Sequence, residues 1–442
     1  MRIENAECIQ LTKGLIRFLQ DSPTRVHAVA NIAGILREAG FTELHEGEKW
    51  ELKKNGSYFV TRNQSSILSF RIPAGTCGGY QIMASHSDSP TFKIKENPEM
   101  ESEGHYIRLN VEKYGGMLCA PWFDRPLSVA GRLVVKAGNC LVSKLVKVDR
   151  DLLMIPNLAI HFNRQVNDGY KYNPQVDMIP LFGGHDSKGT FMKLVADAAG
   201  VHEEDILGHD LFLYSRMPGT IWGAGNEFFS CGRIDDLQCA FASLKGFLES
   251  EPAEGIAVHA VFDNEEVGSG TKQGADSTFL MDTLRRINTG LGRDEEAYLM
   301  ALASSFMISA DNAHAVHPNL PDRADPTNRP YMNQGIVIKY NANQKYTTDA
   351  VSAAMFKALC QRAGVPFQTF ANRSDMPGGS TLGNISNAHV SLNTVDIGLP
   401  QLSMHSPYET AGVMDTCYLT RVAAHFYSAC IRAGEGGCYE VV

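Results

Sequence analysis

The stretch IAVHAVFDNEE (residues 256–266) joins seven mostly apolar residues to four polar ones. A short apolar run of this kind is typical of a strand that is buried on both faces of a sheet. Three more runs also end in polar residues: YQIMA before SHSD (80–88), SSFMISA before Asp311 (304–311) and HVSLNTV before Asp396 (389–396). The repeated pattern predicts several buried strands whose carboxyl ends carry polar side chains.

Helical periodicity is found between several of these runs. Apolar residues recur at helical spacing over 232–249, 278–290 and 349–363, and over a longer segment, 409–433. Strands that alternate with helices predict an α/β sheet, and ligands of such sheets bind beyond the carboxyl ends of the strands. The polar clusters lie where this rule predicts a site.

One region interrupts the alternation. Residues 92–228 contain strand-like pieces with many glycines and prolines, and their one helical pattern, at 187–200, is short. We therefore expect a β-rich domain at 92–228 that is inserted into an α/β domain formed by residues 1–91 plus 229–442. At roughly 150 residues per domain, length alone would suggest about three domains, or two of which one is large.

The composition counts against several classes of protein. Lysine and arginine number 40 against 49 aspartates and glutamates, a net charge of −9, whereas a nucleic-acid-binding protein needs a basic face. The 44% hydrophobic and 20% charged residues are ordinary for a globular chain. No apolar run reaches the roughly 18 residues of a membrane span, and the charged start, MRIENAE, does not resemble a signal peptide.

The ten cysteines predict neither a metal site nor a disulfide framework. No two of them form a C-x-x-C pair, and their spacings are irregular. A chain of this length can bury a large core without disulfides. We interpret the cysteines as buried, reduced thiols of a cytoplasmic protein.

Histidines and carboxylates at the ends of the predicted elements are the candidates for chemistry. They are His86, Asp88, Asp235, Asp236, Asp263, Glu265, Glu266, Asp311 and His405. Each group alone has a plainer explanation, as a polar turn, a solvated acidic turn or an acidic helix N-terminus. Together at one sheet edge, the ionised carboxylates would repel one another, and a divalent cation would relieve that repulsion.

The residue types of this cluster suit zinc, and manganese or cobalt are also compatible with them. Such a set can hold two ions about 3.5–4 Å apart, bridged by one carboxylate and a water. A further carboxylate beside that water would be a general base. The cluster therefore predicts a site that is equipped to hydrolyse an amide.

Eight sequence blocks make the chain similar to a known family. They are SHSDSP (85–90), YGG with WFDRPLSVAGR (114–132), PNLAIHFNR (156–164), GRIDDL (232–237), FDNEEVGS (262–269), SADNAHAVHPN (309–319), NRSDMPGGSTLG (372–383) and VDIGLPQLSMHS (395–406). With these blocks in order over nearly its whole length, the chain resembles a bacterial member of the aspartyl aminopeptidase / vacuolar aminopeptidase I family of dinuclear zinc metallo-aminopeptidases. The resemblance implies a three-layer α/β/α zinc-peptidase domain with an inserted β-rich dimerisation domain.

The resemblance also implies a role for seven residues of the cluster. The implied ligands are His86, Asp235 and Asp311 for one zinc, and Asp235, Glu266 and His405 for the other. Glu265 matches the general base, and Asp88 matches the carboxylate behind His86. The implied reaction is attack of zinc-activated hydroxide on the first carbonyl of a short peptide with a free N-terminus.

Association and substrate contacts are implied in the same way. Dimers would form through the inserted domain, and twelve subunits can build a tetrahedral particle. His161 matches a residue that reaches a neighbouring subunit's site, and His317 matches one near the substrate carbonyl. Packing of an interface and capping of a turn are the plainer alternatives for these two histidines. Lys345, Met376 and Gly379 match positions that contact the substrate.

Several positions depart from the family pattern, and none of them is an implied metal ligand. Lys345 replaces an arginine and so loses the bidentate fork of a guanidinium group. The other departures are Asn343 in place of a lysine found in acidic-specific members, Gly378 for Cys, Pro407-Tyr408 for Ile-Arg, and Asn312 for Met. They weaken the implied preference for an acidic N-terminal residue.

Two alternative functions use the same residues. A related dinuclear zinc deacylase would keep every ligand. A catalytically silent assembly protein on the same scaffold would be expected to lose Glu265 or a ligand, and all of them are present. The leading hypothesis is therefore a cytoplasmic zinc aminopeptidase.

Overall fold

A computed structural model of the protein describes residues 5–75, 78–252, 254–434, 436 and 438–441. Cys77 and the first four residues of the charged start lie outside the described residues. The helices are α1 (Asn5–Asp21), α2 (Arg25–Glu38), α3 (Pro174–Asp177), α4 (Phe191–Ala199), α5 (Ile234–Glu249), α6 (Phe279–Gly290), α7 (Glu295–Ala303), α8 (Ala350–Ala363), α9 (Leu382–Ser386) and α10 (Val413–Ser428).

The strands of the described residues form four sheets. They are β1 (Thr42–Leu44), β2 (Ser57–Arg62), β3 (Ser66–Arg71), β4 (Tyr80–His86), β5 (Thr91–Ser102), β6 (Tyr106–Tyr114), β7 (Leu127–Ala137), β8 (Cys140–Lys147), β9 (Leu181–Gly184), β10 (Ile206–Ser215), β11 (Thr220–Trp222), β12 (Phe228–Cys231), β13 (Ile256–Phe262), β14 (Phe306–Ala310), β15 (Ala313–His314), β16 (Ile336–Tyr340), β17 (Phe367–Ala371), β18 (Asn393–Gly398), β19 (Pro400–Leu402), β20 (Glu409–Gly412), β21 (Ile431–Ala433) and β22 (Tyr439–Val441).

The largest sheet has nine strands in the order β1-β2-β3-β13-β4-β14-β18-β16-β17. Its centre is parallel, because β4 pairs in parallel with both β13 and β14, and β14 pairs in parallel with β18. The carboxyl ends of these four strands therefore meet at one edge. This confirms the α/β class that the alternation of strands and helices predicts.

Helices cover both faces of this sheet. Side chains alternate along a strand, so Ala257 and Val261 of β13 pack in a core with α1, α2, α5, α8 and α10. Val258 and Ala260 point to the opposite face and pack with α6, α7 and α9. The result is the three-layer arrangement of helices, sheet and helices. Burial on both faces explains why the sequences of these strands are mostly apolar instead of alternating between apolar and polar residues.

A second sheet of six strands, in the order β8-β7-β10-β5-β6-β9, is built from residues between Thr91 and Ser215. It has its own core, in which Phe92, Leu133 and Leu213 are fully or almost fully buried. Strand β11 falls within the predicted insert, but it pairs with β12 in a separate five-stranded sheet, β11-β12-β20-β19-β15. The division at 92 and 228 stays a prediction, which the separate sheet supports.

The sequence prediction for the last long helix is wrong at both ends. The segment 409–433 forms strand β20, helix α10 and strand β21. Residues 409–412 pair with β12 and β19, and this long-range pairing overrides the local helical periodicity. The run HVSLNTV predicts a strand that begins at residue 389, but strand β18 begins later, at Asn393.

The cysteine prediction is confirmed only in part. All nine described cysteines are free, and six of them are buried, but Cys140 and Cys438 are exposed and Cys119 is half-buried. Cys239 lies against Asp236 and Asn312, near the polar cluster at the sheet edge. The thiols of the other described cysteines lie outside this cluster. None of the described helices is long and apolar enough to cross a membrane.

Candidate metal centre

Three neighbouring strands deliver the first part of the cluster. Strand β4 ends at His86, β13 is followed by Glu265 and Glu266, and β14 is followed by Asp311. Because these strands run in parallel side by side, their ends bring the four side chains to one edge of the sheet.

The five-stranded sheet delivers the other two residues, so the prediction that all strand ends belong to one sheet is wrong. Asp235 follows β12 at the start of α5, where its backbone angles are not helical. His405 lies in the turn between β19 and β20 with a φ of +66°. Local pattern could not reveal this five-stranded sheet, because its strands are short and because β12 pairs with β20, and β15 with β19, across distant parts of the chain.

Two overlapping groups of possible ligands share Asp235, and a third group joins His86 with Glu265 and Glu266. His86 Nε2 lies 3.3 Å from Asp235 Oδ1 and 3.7 Å from Asp311 Oδ1. His405 Nε2 lies 3.4 Å from Asp235 Oδ2 and 3.4 Å from Glu266 Oε2. Asp235 therefore turns one carboxylate oxygen to each of the two groups that contain it, as a bridging ligand would.

The carboxylates of the cluster are buried and crowded. Burial, followed by the charge of Asp235, raises the pKa of Glu266 well above its ordinary value. Burial is also the main cause that raises the pKa of Glu265 to about 8, and nearby carboxylates contribute to the increase. Burial opposes ionisation of Asp235 as well, but the imidazoles of His405 and His86 lower its pKa.

These observations fit a zinc site. Asp235 Oδ1 and Glu266 Oε1 are buried and have no hydrogen-bond partner among the described residues, so each has a lone pair free for a cation. The ligand atoms of each group lie within 4.8 Å of one another. Imidazole nitrogen and carboxylate oxygen are donors that zinc accepts. A divalent cation would also relieve the repulsion that raises the pKa of Glu265 and Glu266.

Asp88 lies directly behind His86. Its Oδ1 is 3.5 Å from His86 Nδ1, and its backbone oxygen is 3.0 Å from the same nitrogen. The carboxylate also accepts the backbone N–H groups of Glu265 and Glu266, each at 3.2 Å. A carboxylate in this place fixes the orientation of an imidazole whose other nitrogen is free for a metal.

Two carboxylates that follow predicted strands lie outside the groups of possible ligands. Asp263 faces Arg25, whose Nε is 3.2 Å from its Oδ2, and it does not join either group of possible ligands. Asp396 lies inside β18 and accepts hydrogen bonds from Thr347 and Thr381. A carboxylate at the end of an apolar run is therefore not enough by itself to place it in the site.

Sequence reasoning missed Glu409 and Lys339. Glu409 accepts the backbone N–H of Asp235 at 3.1 Å and that of His405 at 2.8 Å, so one buried carboxylate supports two possible ligands. Lys339 Nζ lies 3.7 Å from Asp311 Oδ2 and donates to the Asn312 carbonyl at 2.9 Å. For Lys339 the available signal was a charged residue within the otherwise apolar strand β16, since such residues are rarely buried without a partner. Glu409 lies in a segment that was predicted as a helix, and no such signal marked it.

The five predicted substrate residues make no hydrogen bond or ion pair with the cluster within the described part of the chain. His161 lies on an exposed segment of residues 156–162, and Lys345 and Gly379 are also exposed. His317 is exposed, and its Nδ1 accepts the N–H of Asn319, as in the turn-capping alternative. Met376 is half-buried in a turn closed by Arg373. Their roles stay predictions.

The sheet with its parallel centre and the buried histidine–carboxylate cluster at its edge are the features of a metal-dependent hydrolase with an α/β fold. A sequence model of the aminopeptidase I zinc metalloprotease family (M18) matches residues 18–427. The chain belongs to this family of zinc aminopeptidases, and the enzyme class that the sequence resemblance implies is confirmed.

Relatives of this family match the chain almost from end to end. The probable M18 family aminopeptidase 2 of Clostridium acetobutylicum is 48% identical over 428 residues, which cover 95% of this chain and 99% of the relative. The protein of the same name from Pseudomonas aeruginosa is 40% identical over 95% of this chain and 98% of its own length. The sequence resemblance is thus confirmed at the level of the family.

Solved structures of the family share the fold. The Ape4 chain in the complex of Ape4 and Nbr1 superposes with a TM-score of 0.93 at 34% identity, over 97% of this chain and 88% of that one. The mApe1 dodecamer of S. cerevisiae gives a TM-score of 0.83 at 27% identity, over 94% of this chain and 96% of that one.

Proposed function

We propose that this chain removes the N-terminal residue from short peptides, with two zinc ions per subunit and Glu265 as the general base. The observation that carries the proposal is the position of Asp235, whose two oxygens face two separate groups of ligands. A carboxylate shared in this way is suited to bridging a pair of ions. Cobalt and manganese are the alternative metals for these donors.

Each ion would have its own set of residues. His86, Asp235 and Asp311 would hold one, and Asp235, Glu266 and His405 would hold the other. When bound, such ions polarise a carbonyl and lower the pKa of water to near neutrality. His405 is about a third exposed, whereas His86 is buried, so substrate would approach from the side of His405.

Glu265 is the carboxylate that neither of these sets uses. It lies beside Glu266 and within the reach of His86, and Asp88 holds its backbone N–H. In the proposed reaction, its carboxylate takes a proton from the attacking water and gives it to the leaving amine. Burial and the nearby carboxylates raise its pKa in the metal-free site, and bound cations would lower it again, so the ionised carboxylate would be able to accept a proton near neutral pH.

We propose that residues 92–228 form the surface through which copies of the chain associate as dimers. Of the 19 large hydrophobic side chains exposed in the described residues, 13 lie in this range. They include Leu158, Ile160 and Phe162, which flank His161 on one segment. An apolar patch of this kind is expected to be covered by a partner. A tetrahedral dodecamer is the larger assembly that we propose, since a relative is described as a dodecamer.

The same surface would place His161 at the site of a neighbouring subunit. His317, Lys345, Met376 and Gly379 remain our candidates for substrate contacts within the subunit. The acidic net charge supports a protein that binds neither nucleic acid nor an anionic membrane surface. We propose a cytoplasmic location, in keeping with free cysteines.

The test is a panel of aminoacyl-p-nitroanilides and N-acyl amino acids, each assayed with Zn²⁺, Co²⁺ or Mn²⁺ and with bound metal measured on the same sample. We expect turnover of the free-amine substrates only. Glu265→Gln should lower kcat by about 100-fold or more, which is the range of general-base catalysis. The exposed Glu296→Gln is the matched control and should have the activity of the wild type.

Three results would contradict the proposal. Turnover of N-acyl amino acids alone would indicate the deacylase, and no turnover of any substrate with two bound ions would indicate a silent scaffold. Full activity of Glu265→Gln would remove this residue as the base.

A further inference from the structure

A short segment of the β-rich region, residues 114–118, lies directly against the proposed metal centre. A Cβ atom on Gly115 would be 3.2 Å from Glu266 Cβ, and one on Gly116 would be 3.9 Å from His405 Nδ1. The Leu118 N–H donates to the His405 carbonyl at 3.2 Å. The segment that begins at the end of β6 is thus part of the wall of the site.

Tyr114, the last residue of β6, reaches the carboxylate behind His86. Its hydroxyl donates a 2.6 Å hydrogen bond to Asp88 Oδ2 and accepts one of 2.8 Å from Asn264 Nδ2. Burial and the charge of Asp88 raise the pKa of this phenol, so it stays a proton donor. The short bond ties one oxygen of Asp88, while the other oxygen faces His86 Nδ1.

Arg25, the first residue of α2, holds the ring of Tyr114. Its guanidinium carbon lies 4.7 Å from the centroid of the Tyr114 ring and 4.6 Å from that of Phe212 on β10. Its Nε also pairs with Asp263, at 3.2 Å. A cation between two aromatic faces, with a carboxylate at its nitrogen, fixes the position of both rings.

We infer that Tyr114 is a positioning residue of the metal centre, which orients the Asp88 carboxylate against His86, and that Arg25 holds Tyr114 in place. The inference rests on the proposed zinc site. It means that the β-rich region is more than a surface for association, because it contributes one of the groups that set the geometry of a ligand. Partners of a ligating histidine typically change metal affinity or activity by about 10–100-fold when they are removed.

The test compares Tyr114→Phe with Tyr214→Phe. Tyr214 lies on β10 of the same sheet, is buried where Tyr114 is half-buried, and donates its hydroxyl to the Val148 carbonyl at 2.8 Å. Both variants lose one buried hydroxyl and keep the ring. The dissociation constant of Zn²⁺ is measured by competition with a chromophoric chelator, together with the visible spectrum of the Co²⁺ form, the melting temperature, and kcat and KM on leucine p-nitroanilide.

For Tyr114→Phe we expect a Zn²⁺ dissociation constant about 10-fold higher, a changed Co²⁺ spectrum, and a fall in kcat with little change in KM. Tyr214→Phe should keep the metal affinity and the Co²⁺ spectrum of the wild type. Its melting temperature should fall by about as much as that of Tyr114→Phe. Arg25→Lys keeps the charge toward Asp263 but loses the planar group, so a smaller effect of the same kind should follow.

Equal Zn²⁺ affinity and spectra in Tyr114→Phe and the wild type would overturn the inference, and so would equal losses of affinity in both tyrosine variants. The wild-type data test the proposed function separately. A wild type that binds zinc but cleaves no anilide would contradict the aminopeptidase, while the ratio of affinities would still decide the role of Tyr114. A wild type that binds no zinc would overturn both the proposed zinc aminopeptidase and the role of Tyr114.

Discussion

The polar cluster at the edge of the nine-stranded sheet and the apolar surface of residues 92–228 depart from ordinary burial in opposite directions. In the cluster, His86 and Asp235 are 1% and 3% exposed, although charged groups are rarely buried without compensation. In the β-rich region, Leu158 and Phe162 are 60% and 80% exposed, although apolar side chains of this size are normally covered.

The comparison indicates which kind of partner would suit each region. The buried cluster has excess negative charge, and a divalent cation would offset the cost of bringing its carboxylates together. The exposed region has excess apolar surface, and a second protein surface would remove it from water. Neither feature is favourable in an isolated chain, which supports the proposals that metal binds at the first and a second copy of the chain at the other.

The largest expected effect concerns the carboxylate that joins the two ligand groups. Asp235→Asn keeps the shape of the side chain but removes its charge and one of its two acceptor oxygens. We expect the bound zinc to fall from two ions per subunit toward none, and activity to fall at least about 1000-fold, equivalent to ~4 kcal/mol of transition-state stabilisation. Metal analysis of the dialysed protein and the anilide assay measure both effects.

The exposed Asp186→Asn in the β-rich region is the matched control for this prediction and should keep both metal and activity. An Asp235→Asn variant that retains two ions per subunit would show that the bridge is elsewhere. In that case the excess of buried charge would need a different explanation.

The second effect tests whether burial alone, without a metal, makes a polar group costly in the same sheet. His259 lies within β13, fully buried, and burial lowers its pKa to about 4. The unfolded chain takes up a proton near the ordinary value of about 6.5, so stability is lost as the pH falls from 6.5 to 4. The loss amounts to roughly 3 kcal/mol over this window.

His259→Gln has no such group to titrate. We expect the difference in free energy of unfolding between the wild type and this variant to shift by roughly 3 kcal/mol in favour of the variant between pH 7 and pH 4. Urea titrations of the metal-free proteins at several pH values measure the difference. A difference that does not change with pH would mean that His259 is not the neutral, buried group described above.

The two regions also differ in how far sequence could predict them. Strands β4, β13 and β14 could be predicted because each is a short, mostly apolar run, and the positions of His86, Glu266 and Asp311 follow from the ends of these strands. The position of these residues beside one another depends only on the rule for parallel strands. This part of the site can therefore be predicted from short stretches of the sequence.

The remaining contacts depend on pairing between distant segments. Glu409 lies in a run whose periodicity predicts a helix, but it forms a strand with β12 and supports Asp235 and His405. Tyr114 reaches Asp88 from another sheet. No local pattern contains such contacts, and the family resemblance implied the ligands and Asp88 but neither Glu409 nor Tyr114.

A third, smaller effect tests the exposed region. Leu158→Asp places a charge on the apolar segment, and we expect it to weaken association by about 30-fold, equivalent to ~2 kcal/mol, which is typical of an interface residue that contributes strongly. Leu299→Asp, on α7 and 51% exposed, is the matched control. Sedimentation velocity over a range of protein concentrations measures the assembly, and dissociation of both variants alike would contradict the assignment of the surface.

The smallest effect connects the two regions, because His161 lies on the apolar segment and is proposed to act in a partner's site. His161→Ala should lower kcat/KM by about 10-fold, at the lower end of what a catalytic contact contributes, without dissociating the oligomer. Glu265→Gln removes the base but keeps His161. When the two variants are co-expressed, a mixed dimer contains one site with an intact base and a partner histidine.

We therefore expect the mixed oligomers to be more active than the weighted mean of the two variants measured separately. The control is a mixture of the two proteins purified apart and combined without exchange of subunits, which should give only that mean. If the co-expressed sample also gives the mean, His161 acts within its own subunit or not at all. The apolar segment would then serve association alone, and the buried cluster and the exposed surface would be independent features of the chain.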